Sequence, residues 1–445
     1  MGRVTAPGEA ARDCAFDILV EYAHADTFLN SVLTKGLCAS GLERRDRALI
    51  TEIVQGTVRM KLALDCAISG FSNRELSSVD EGVLWILRLT AYQLLYTSVP
   101  TYAACDISVG LTRRRLGAGA SGYVNGVLRA FARGADDIAW PEKEDDPVSY
   151  LEVCTSHPRW LVEMWIAELG LARTETLCEA DNRQPRLSLR CNLARSSREE
   201  LLAKLIEAGI EAQPGDLAPE ALLVRGTGYL NDIPEFVSGL FAVQDQGSIV
   251  VGHRVAPEPG MRVLDMCAAP GGKANHLAEL MHNSGRVLAI DINPGRLEMV
   301  GESATRLGNS SVETMVQDGT TASADLGESF DRVLVDAPCT GLGTLARRPD
   351  ARWRKSPGDI RRLPELQGAL LQEGARLTTP GGLLVYSTCT ISHRENQEVV
   401  NAFIAGGQGE SFKLVSDERD EVFTQMFPDA DGCDGMFVAV MRRET

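Results

Sequence analysis

The chain has 445 residues, 44% of them hydrophobic and 24% charged, and a formal net charge of −16. That is ordinary globular material with room for roughly two to four domains. The acidic balance excludes a crude basic nucleic-acid binder but leaves open an enzyme with a local basic groove.

Residues 1–140 are expected to form a helical domain. Ala10–Ala25, Arg45–Met60, Glu81–Ser98 and Ala103–Leu116 carry apolar residues at three and four spacing, as in Val83, Leu84, Ile86, Leu87, Leu89 and Leu94. Asp80 stands where a helix N-cap belongs. Lys and Arg balance Asp and Glu at 15 each over this stretch, so the acidic excess lies after it. Two basic groups, Arg44, Arg45 and Arg47, then Arg113, Arg114 and Arg115, read either as solvated helix surface or as a patch for RNA phosphates.

Residues 141–243 are expected to hold a linker and a small α+β module. The polar stretch 136–156, with Pro141, Glu142, Glu144, Asp145 and Asp146, reads as the linker. A helix follows Pro158, with Trp160, Leu161, Met164, Trp165 and Leu169 on one face. Its tryptophans are expected to face a core rather than stack on bases. Strands at Leu187–Asn192, Ala221–Val224 and Phe241–Val243 surround a helix at Glu199–Ala208.

From 244 to 445 strands and helices alternate. Strands fit at 262–265, 286–290, 312–316, 332–336 and 382–387, with a terminal pair near 411–415 and 436–441. This predicts a doubly wound, mostly parallel sheet of Rossmann-like α/β type, with ligands beyond the carboxyl ends of its strands. The first strand ends at Asp265 and runs into Cys267-Ala268-Ala269-Pro270-Gly271-Gly272-Lys273. Paired glycines let backbone approach a ligand, and the following helix N-terminus adds partial positive charge. The loop lacks the G-x-G-x-x-G of a dinucleotide site. It also fails the P-loop pattern twice, at Cys267 and at Ala274. A site for S-adenosylmethionine (SAM) is the third reading, and a plain structural turn the fourth.

The downstream strand ends bear on that choice. They offer Asp291, about 20 residues past the loop and suited to ribose hydroxyls, then Gln317-Asp318, then Asp336, then Ser387. Each acid alone reads equally well as a helix cap. The informative pair is Cys339 and Cys389, one after each of two strands expected to be neighbours. The 11 cysteines show no C-x-x-C spacing, which argues for reduced thiols and against a disulfide framework or a zinc site. Most, such as Cys14, Cys66, Cys105 and Cys178, are expected to be buried hydrophobes. Cysteines at strand-end loops beside a cofactor loop can instead be reactive. A thiolate beside SAM suits methylation of carbon 5 of a pyrimidine. Addition to carbon 6 makes carbon 5 nucleophilic, and a carboxylate such as Asp336 can bind the cytosine edge. Such a base must be unstacked or single-stranded. Residue patterns alone do not say which cysteine attacks.

Two resemblances follow from these residues. The helix D-R-A-L-I-T-E-I-V-x-G-T-V-R and the helix Tyr123–Arg129 resemble the NusB-type RNA-binding bundle. D-M-C-A-A-P-G-G-K (265–273), D-A-P-C-T-G (336–341), S-T-C-T (387–390), Glu395-Asn396 and P-D-A-R-W (349–353) resemble the RNA cytosine-5 methyltransferases of the bacterial RsmB/Fmu/Sun group, which act on small-subunit (16S) ribosomal RNA. The resemblance implies Cys389 as nucleophile and Cys339 in turnover or product release. It implies SAM binding by Cys267 to Lys273, Asp291, Asp318 and Arg296. It places Asp336 between cofactor and base, with Lys273 reaching toward the base. Ala274 replaces a hydroxyl residue usual in the family, Arg348 stands where a His often does, and Asp434-Gly435-Met436-Phe437 replaces D-G-F-F after an added Asp431-Gly432-Cys433. These departures bear on affinity or target more than on reaction type. The alternatives are a tRNA cytosine-5 methyltransferase and a non-catalytic RNA-binding assembly factor. The expected partner is ribosomal RNA, naked or in an early assembly particle, with no metal, no membrane and a monomeric state. The opening MGRVTAPGEAARD has no apolar signal segment and no apolar run reaches a membrane span, so a cytoplasmic location is expected.

Overall fold

The computed structural model describes residues 8–327, 329–417 and 419–445, so the first seven residues of the expected helical domain lie outside it. It divides into two compact units, one of residues up to 183 with 345–354, the other of 184–344 with 355–445.

The first unit is helical. Its elements are α1 Glu9–His24, α2 Leu29–Ser40, α3 Arg44–Arg59, α4 Lys61–Ser69, α5 Glu81–Tyr96, α6 Thr101–Arg115 and α7 Ala118–Gly134. α5 is apolar on most sides because it is the central helix: Val83, Trp85, Ile86, Leu87, Leu89, Ala91 and Tyr92 are all buried. Asp80 caps it, accepting from Val83 N at 3.2 Å. Arg88 on α5 donates to both carboxylate oxygens of Asp65 at 2.6 and 2.7 Å, a bidentate pair at the bundle edge. The expected linker contains a helix, α8 Pro147–Cys154. Asp146 caps it, accepting from Val148 N and Ser149 N at 3.1 Å each, and Pro147 sits at the first turn, where its missing N–H costs nothing. α9 Arg159–Leu169 and α10 Leu171–Asn182 complete the run, with Trp165 fully buried as expected and Trp160 half-buried.

A segment from far down the chain, 345–354, closes this unit. Asp350 accepts from Leu29 N at 2.8 Å, and Trp353 Nε1 donates to Val58 O at 2.7 Å. Arg352 has no exposed surface and donates to Ser156 O and Asn182 Oδ1 at 3.0 Å each. Burial lowers its pKa to about 10, which still leaves it charged at neutral pH.

The second unit holds two sheets. The smaller is antiparallel in the order β2 (Glu211–Pro214), β3 (Ala221–Arg225), β1 (Leu187–Cys191), β4 (Phe241–Val243). Helix α11, Arg198–Glu207, begins in a Ser197/Glu200 capping box and packs Leu201 and Leu205 into a core with Leu189, Leu222 and Phe241. The larger sheet contains β5 Arg262–Asp265, β6 Arg286–Asp291, β7 Val312–Val316, β8 Phe330–Asp336, β9 Thr378–Thr388, β10 Phe412–Leu414, β11 Phe423–Gln425 and β12 Phe437–Arg443. Its order is β10-β12-β9-β8-β5-β6-β7, with β11 also on β12. β7, β6, β5, β8 and β9 are parallel, and β12 joins β9 antiparallel. Helices α12 (Gln246–Val255), α13 (Gly272–Leu280), α14 (Pro294–Leu307), α15 (Pro357–Leu377) and α16 (Gln397–Ile404) accompany it. Central strands such as Val333–Val335 and Leu383–Tyr386 are buried along their whole length, which is why they read as continuous apolar runs. The chain moves outward from β5 to β7, then returns to β8 on the other flank of β5. That reversal opens a crevice beyond the carboxyl ends of β5 and β8.

Candidate active site

The loop after β5 is built for close approach. Gly271 has φ +102°, and a Cβ there would lie 2.9 Å from Val300 Cα, so a side chain is excluded twice over. Asp291 ends β6 and turns back on this loop: Oδ2 accepts from Ala269 N at 3.2 Å and Oδ1 from Asn293 N at 2.9 Å. Arg296 Nη2 donates to Ala269 O at 2.6 Å. Arg296 therefore braces the loop's backbone. Asp318 forms a turn after β7, accepting from Thr320 N at 2.9 Å and Thr320 Oγ1 at 2.7 Å. Ala268 and Ala269 are buried, and Pro270 is exposed at the loop's outer edge. Ala274 is fully buried, so the position that lost a hydroxyl is a packing position here.

Asp265 and Asp336 end neighbouring strands, with Asp265 opposite Leu334 in register. Asp265 is fully buried. Burial, and then the charge of Asp336, push its carboxyl up to about 7. Asp336 accepts from Lys273 Nζ at 2.8 Å and from Ser387 Oγ at 2.7 Å, Ser387 being its partner in register on β9. Burial works against the Lys273 ammonium, but Asp336 and then Cys389 hold its pKa above the ordinary lysine value. Cys267 is raised by burial and by the surrounding carboxylates, which leaves it an inert thiol.

Cys339 and Cys389 meet. Their Sγ atoms are 3.3 Å apart, well beyond a disulfide bond and within reach of an S–H···S hydrogen bond. The Cys339 thiol is raised well above its usual range, first by its hydrogen bond to Cys389, then by burial, then by the charge on Cys389. Either sulfur can be the donor in that contact.

The loops that carry the thiols are fastened by residues whose roles the sequence did not reveal. Gly343 N donates to Cys389 O at 3.0 Å. Glu395, with no exposed surface, accepts from Thr340 N at 2.8 Å, Thr340 Oγ1 at 2.5 Å and Gln367 Nε2 at 3.1 Å. Gln367 Nε2 also donates to Pro338 O at 3.0 Å. Asn396 Oδ1 accepts from Thr388 Oγ1 at 2.6 Å while its Nδ2 donates to Thr390 O at 3.0 Å. Two adjacent buried residues therefore set the spacing of both cysteine loops. A third brace comes from the small sheet. Arg190 on β1 is fully buried, pairs with both oxygens of Glu279 at 3.0 and 2.7 Å, and donates to Gly272 O at 2.8 Å, fixing the start of α13. A polar–charged pair buried side by side (Glu395-Asn396) and an Arg in a strand of apolar neighbours (Arg190) were the available sequence signals.

Among the described residues one trio has the donor set of a metal site, Glu220, His253 and His276. Both imidazole Nε2 atoms lie 2.8 Å from Glu220 Oε1. Ligand atoms at the corners of a zinc tetrahedron stand about 3.3 Å apart, so the trio is arranged as a hydrogen-bonded network. Two of the expected basic residues are also accounted for: Arg114 pairs with Glu9 and Asp13, and Arg115 with Asp17, so α1 neutralises that end of α6.

Comparison with known proteins agrees along the chain. The NusB family model matches residues 9–133, the RsmF/B-like ferredoxin-like domain model 157–229, and the 16S rRNA methyltransferase RsmB/F model 253–442. A Bacillus subtilis (strain 168) protein named "Probable ribosomal RNA small subunit methyltransferase B" is 36% identical over 98% of this chain and 99% of its own. The "Ribosomal RNA small subunit methyltransferase B" of Pseudomonas putida is 33% identical over 92% and 93%. The crystal structure of PH0851 matches with a TM-score of 0.84 at 26% identity, over all of both chains.

Proposed function

The chain belongs to the 16S rRNA methyltransferase RsmB/F family, and from that premise we propose that it methylates carbon 5 of a cytosine in small-subunit ribosomal RNA through a covalent adduct at Cys389. The observation that carries this reading is the thiol pair, with Cys339 Sγ and Cys389 Sγ 3.3 Å apart beside the Lys273–Asp336 ion pair. A site that had lost its chemistry would have no need of two adjoining thiols fixed by Glu395 and Asn396.

SAM fits the donor set of the crevice: Gly271 and Gly272 would admit it closely, and the start of α13 with Asp265, Asp291 and Asp318 would hold its charged, hydroxyl and amino groups. When bound it supplies an electrophilic methyl group on a sulfonium.

The chain's own residues do the rest. The Cys389 thiolate adds to carbon 6 of the cytosine, and the displaced electron pair makes carbon 5 the nucleophile for the methyl group. Asp336, steadied by Lys273 and Ser387, holds the cytosine edge and stabilises a proton on its ring nitrogen. With Cys389 bonded to carbon 6, Cys339 releases its own proton to solvent and, as thiolate, takes the proton from carbon 5; the carbon–sulfur bond then breaks to return Cys389 as thiolate, and the ring nitrogen gives its proton back to solvent.

The reading is tested with tritiated SAM, purified protein and unmodified small-subunit ribosomal RNA, followed by nucleoside analysis. A 5-methylcytidine peak is expected. Label in bulk tRNA alone would keep the chemistry and overturn the target, and another labelled nucleoside would overturn the chemistry.

A further inference from the structure

Beside the thiol loops, α15 and α16 leave between them a groove of about 480 Å³, within the size range of pockets that take small ligands. Both helices start at the end of the sheet where the thiols lie. The groove is joined to them by hydrogen bonds. Gly368 lines it, and its neighbour Gln367 holds Pro338 O and Glu395 at 3.0 and 3.1 Å. Arg394 lines the opposite wall and is the residue before Glu395.

The groove presents positive charge in a chain of net charge −16. Arg362 on the same helix is paired with Asp359 at 3.1 Å. Arg361 and Arg394 are both exposed, both line the groove, and among the described residues neither has an ion-pair partner. One carboxylate, Glu398, shares the lining without bonding to either.

Pro364 and the buried Phe403 line its floor, and a Cβ added at Gly368 would meet nothing within 4 Å, so the groove is open there. Two guanidiniums without ion-pair partners, lining one open groove beside the thiol loops, match the phosphates of single-stranded RNA.

We propose that the α15–α16 groove is a subsite for the single-stranded RNA next to the target cytosine, with Arg361 and Arg394 on its phosphates. This rests on the RNA-methylating reading above. It assigns these arginines to substrate positioning and gives them no part in the chemical step.

The test is the R361A/R394A double variant of the full chain, assayed with SAM and an unmodified small-subunit ribosomal RNA transcript at several salt concentrations. The expected result is a KM for RNA raised about tenfold, kcat and SAM affinity unchanged, and a log–log salt slope shallower by roughly 1.4, two phosphate contacts at about 0.7 each on a single strand. R361K/R394K should recover most of the loss, and R362A, on the same helix but already paired, should match wild type. Unchanged KM and salt slope in the double variant overturn the subsite, as does loss of binding to a polyglutamate probe without loss of RNA affinity. Equilibrium RNA binding by the SAM-bound protein is read in parallel. A wild type that binds RNA but transfers no methyl group overturns the proposed function, while the effect of the double variant on that binding still decides the subsite.

Discussion

Cys339 and Cys389 touch, with their Sγ atoms 3.3 Å apart, and substituting each in turn separates their proposed roles. Cys389→Ala should abolish methyl transfer while leaving SAM affinity near wild type, and retained turnover would remove it as nucleophile. Cys339→Ala should let the adduct form but not resolve, so a protein–RNA band should persist on a denaturing gel; its absence under turnover conditions would contradict the release role. Asp291→Ala should weaken SAM binding by roughly 1–3 kcal/mol, the cost of hydroxyls left unpaired, measured by calorimetry. Asp265 allows a pH test in cofactor-free protein. Its folded-state pKa of about 7 is above the carboxylate value of about 3.9 in an unfolded chain. Its contribution to stability is therefore present at low pH and lost as pH rises through 7. Wild type should lose a few kcal/mol relative to Asp265→Asn between pH 4 and 7 in urea titrations. Equal slopes for the two proteins would show that Asp265 titrates normally.

Elements differ in how far their residues announce them. β5, β6, β8 and β9 were legible because strands covered on both faces are runs of Val, Leu and Ile, and each ends on a polar residue that the crevice uses. α8 was not, because its cap, Asp146, belongs to a cluster of acids that suggests a solvated linker. α15 begins with Ser356 and Pro357 and ends in an apolar stripe, but Pro364 in its middle breaks the pattern. The two cysteines could be singled out from their positions, whereas their 3.3 Å contact and the clamp by Glu395 depend on side chains brought together from loops fifty residues apart. Glu395→Gln keeps the shape of that clamp while removing a charge that burial already disfavours. It should keep most activity, whereas Glu395→Ala, which frees Thr340 and Gln367 together, should lower kcat at least tenfold with SAM affinity unchanged. Similar kcat values for the two variants would argue against a positioning role.

At the scale of the molecule, the order helical bundle, small sheet, larger mixed sheet was readable from periodicity alone. The boundaries were harder, because compactness does not follow chain order. Residues 345–354 leave the loop that carries Cys339 and are counted with the helical unit, where Arg352 is wholly buried. Arg352→Ala should destabilise that unit by about 3 kcal/mol or more, since buried carbonyls and Asp181 lose their cation; an unchanged melting curve would mean that the contacts of Arg352 are energetically neutral. The central claim is the covalent step at Cys389, and trapping it tests that claim most directly. A small-subunit ribosomal RNA transcript made with 5-fluorocytidine should stall after methyl transfer, because fluorine cannot leave carbon 5 as a cation and the carbon–sulfur bond then has no route to break. Digestion and mass analysis of the SAM-treated complex should find the nucleotide and its added methyl group on the peptide containing Cys389. A nucleotide attached at Cys339 instead, or methyl transfer to ordinary transcript with no adduct on the fluorinated one, would contradict the account.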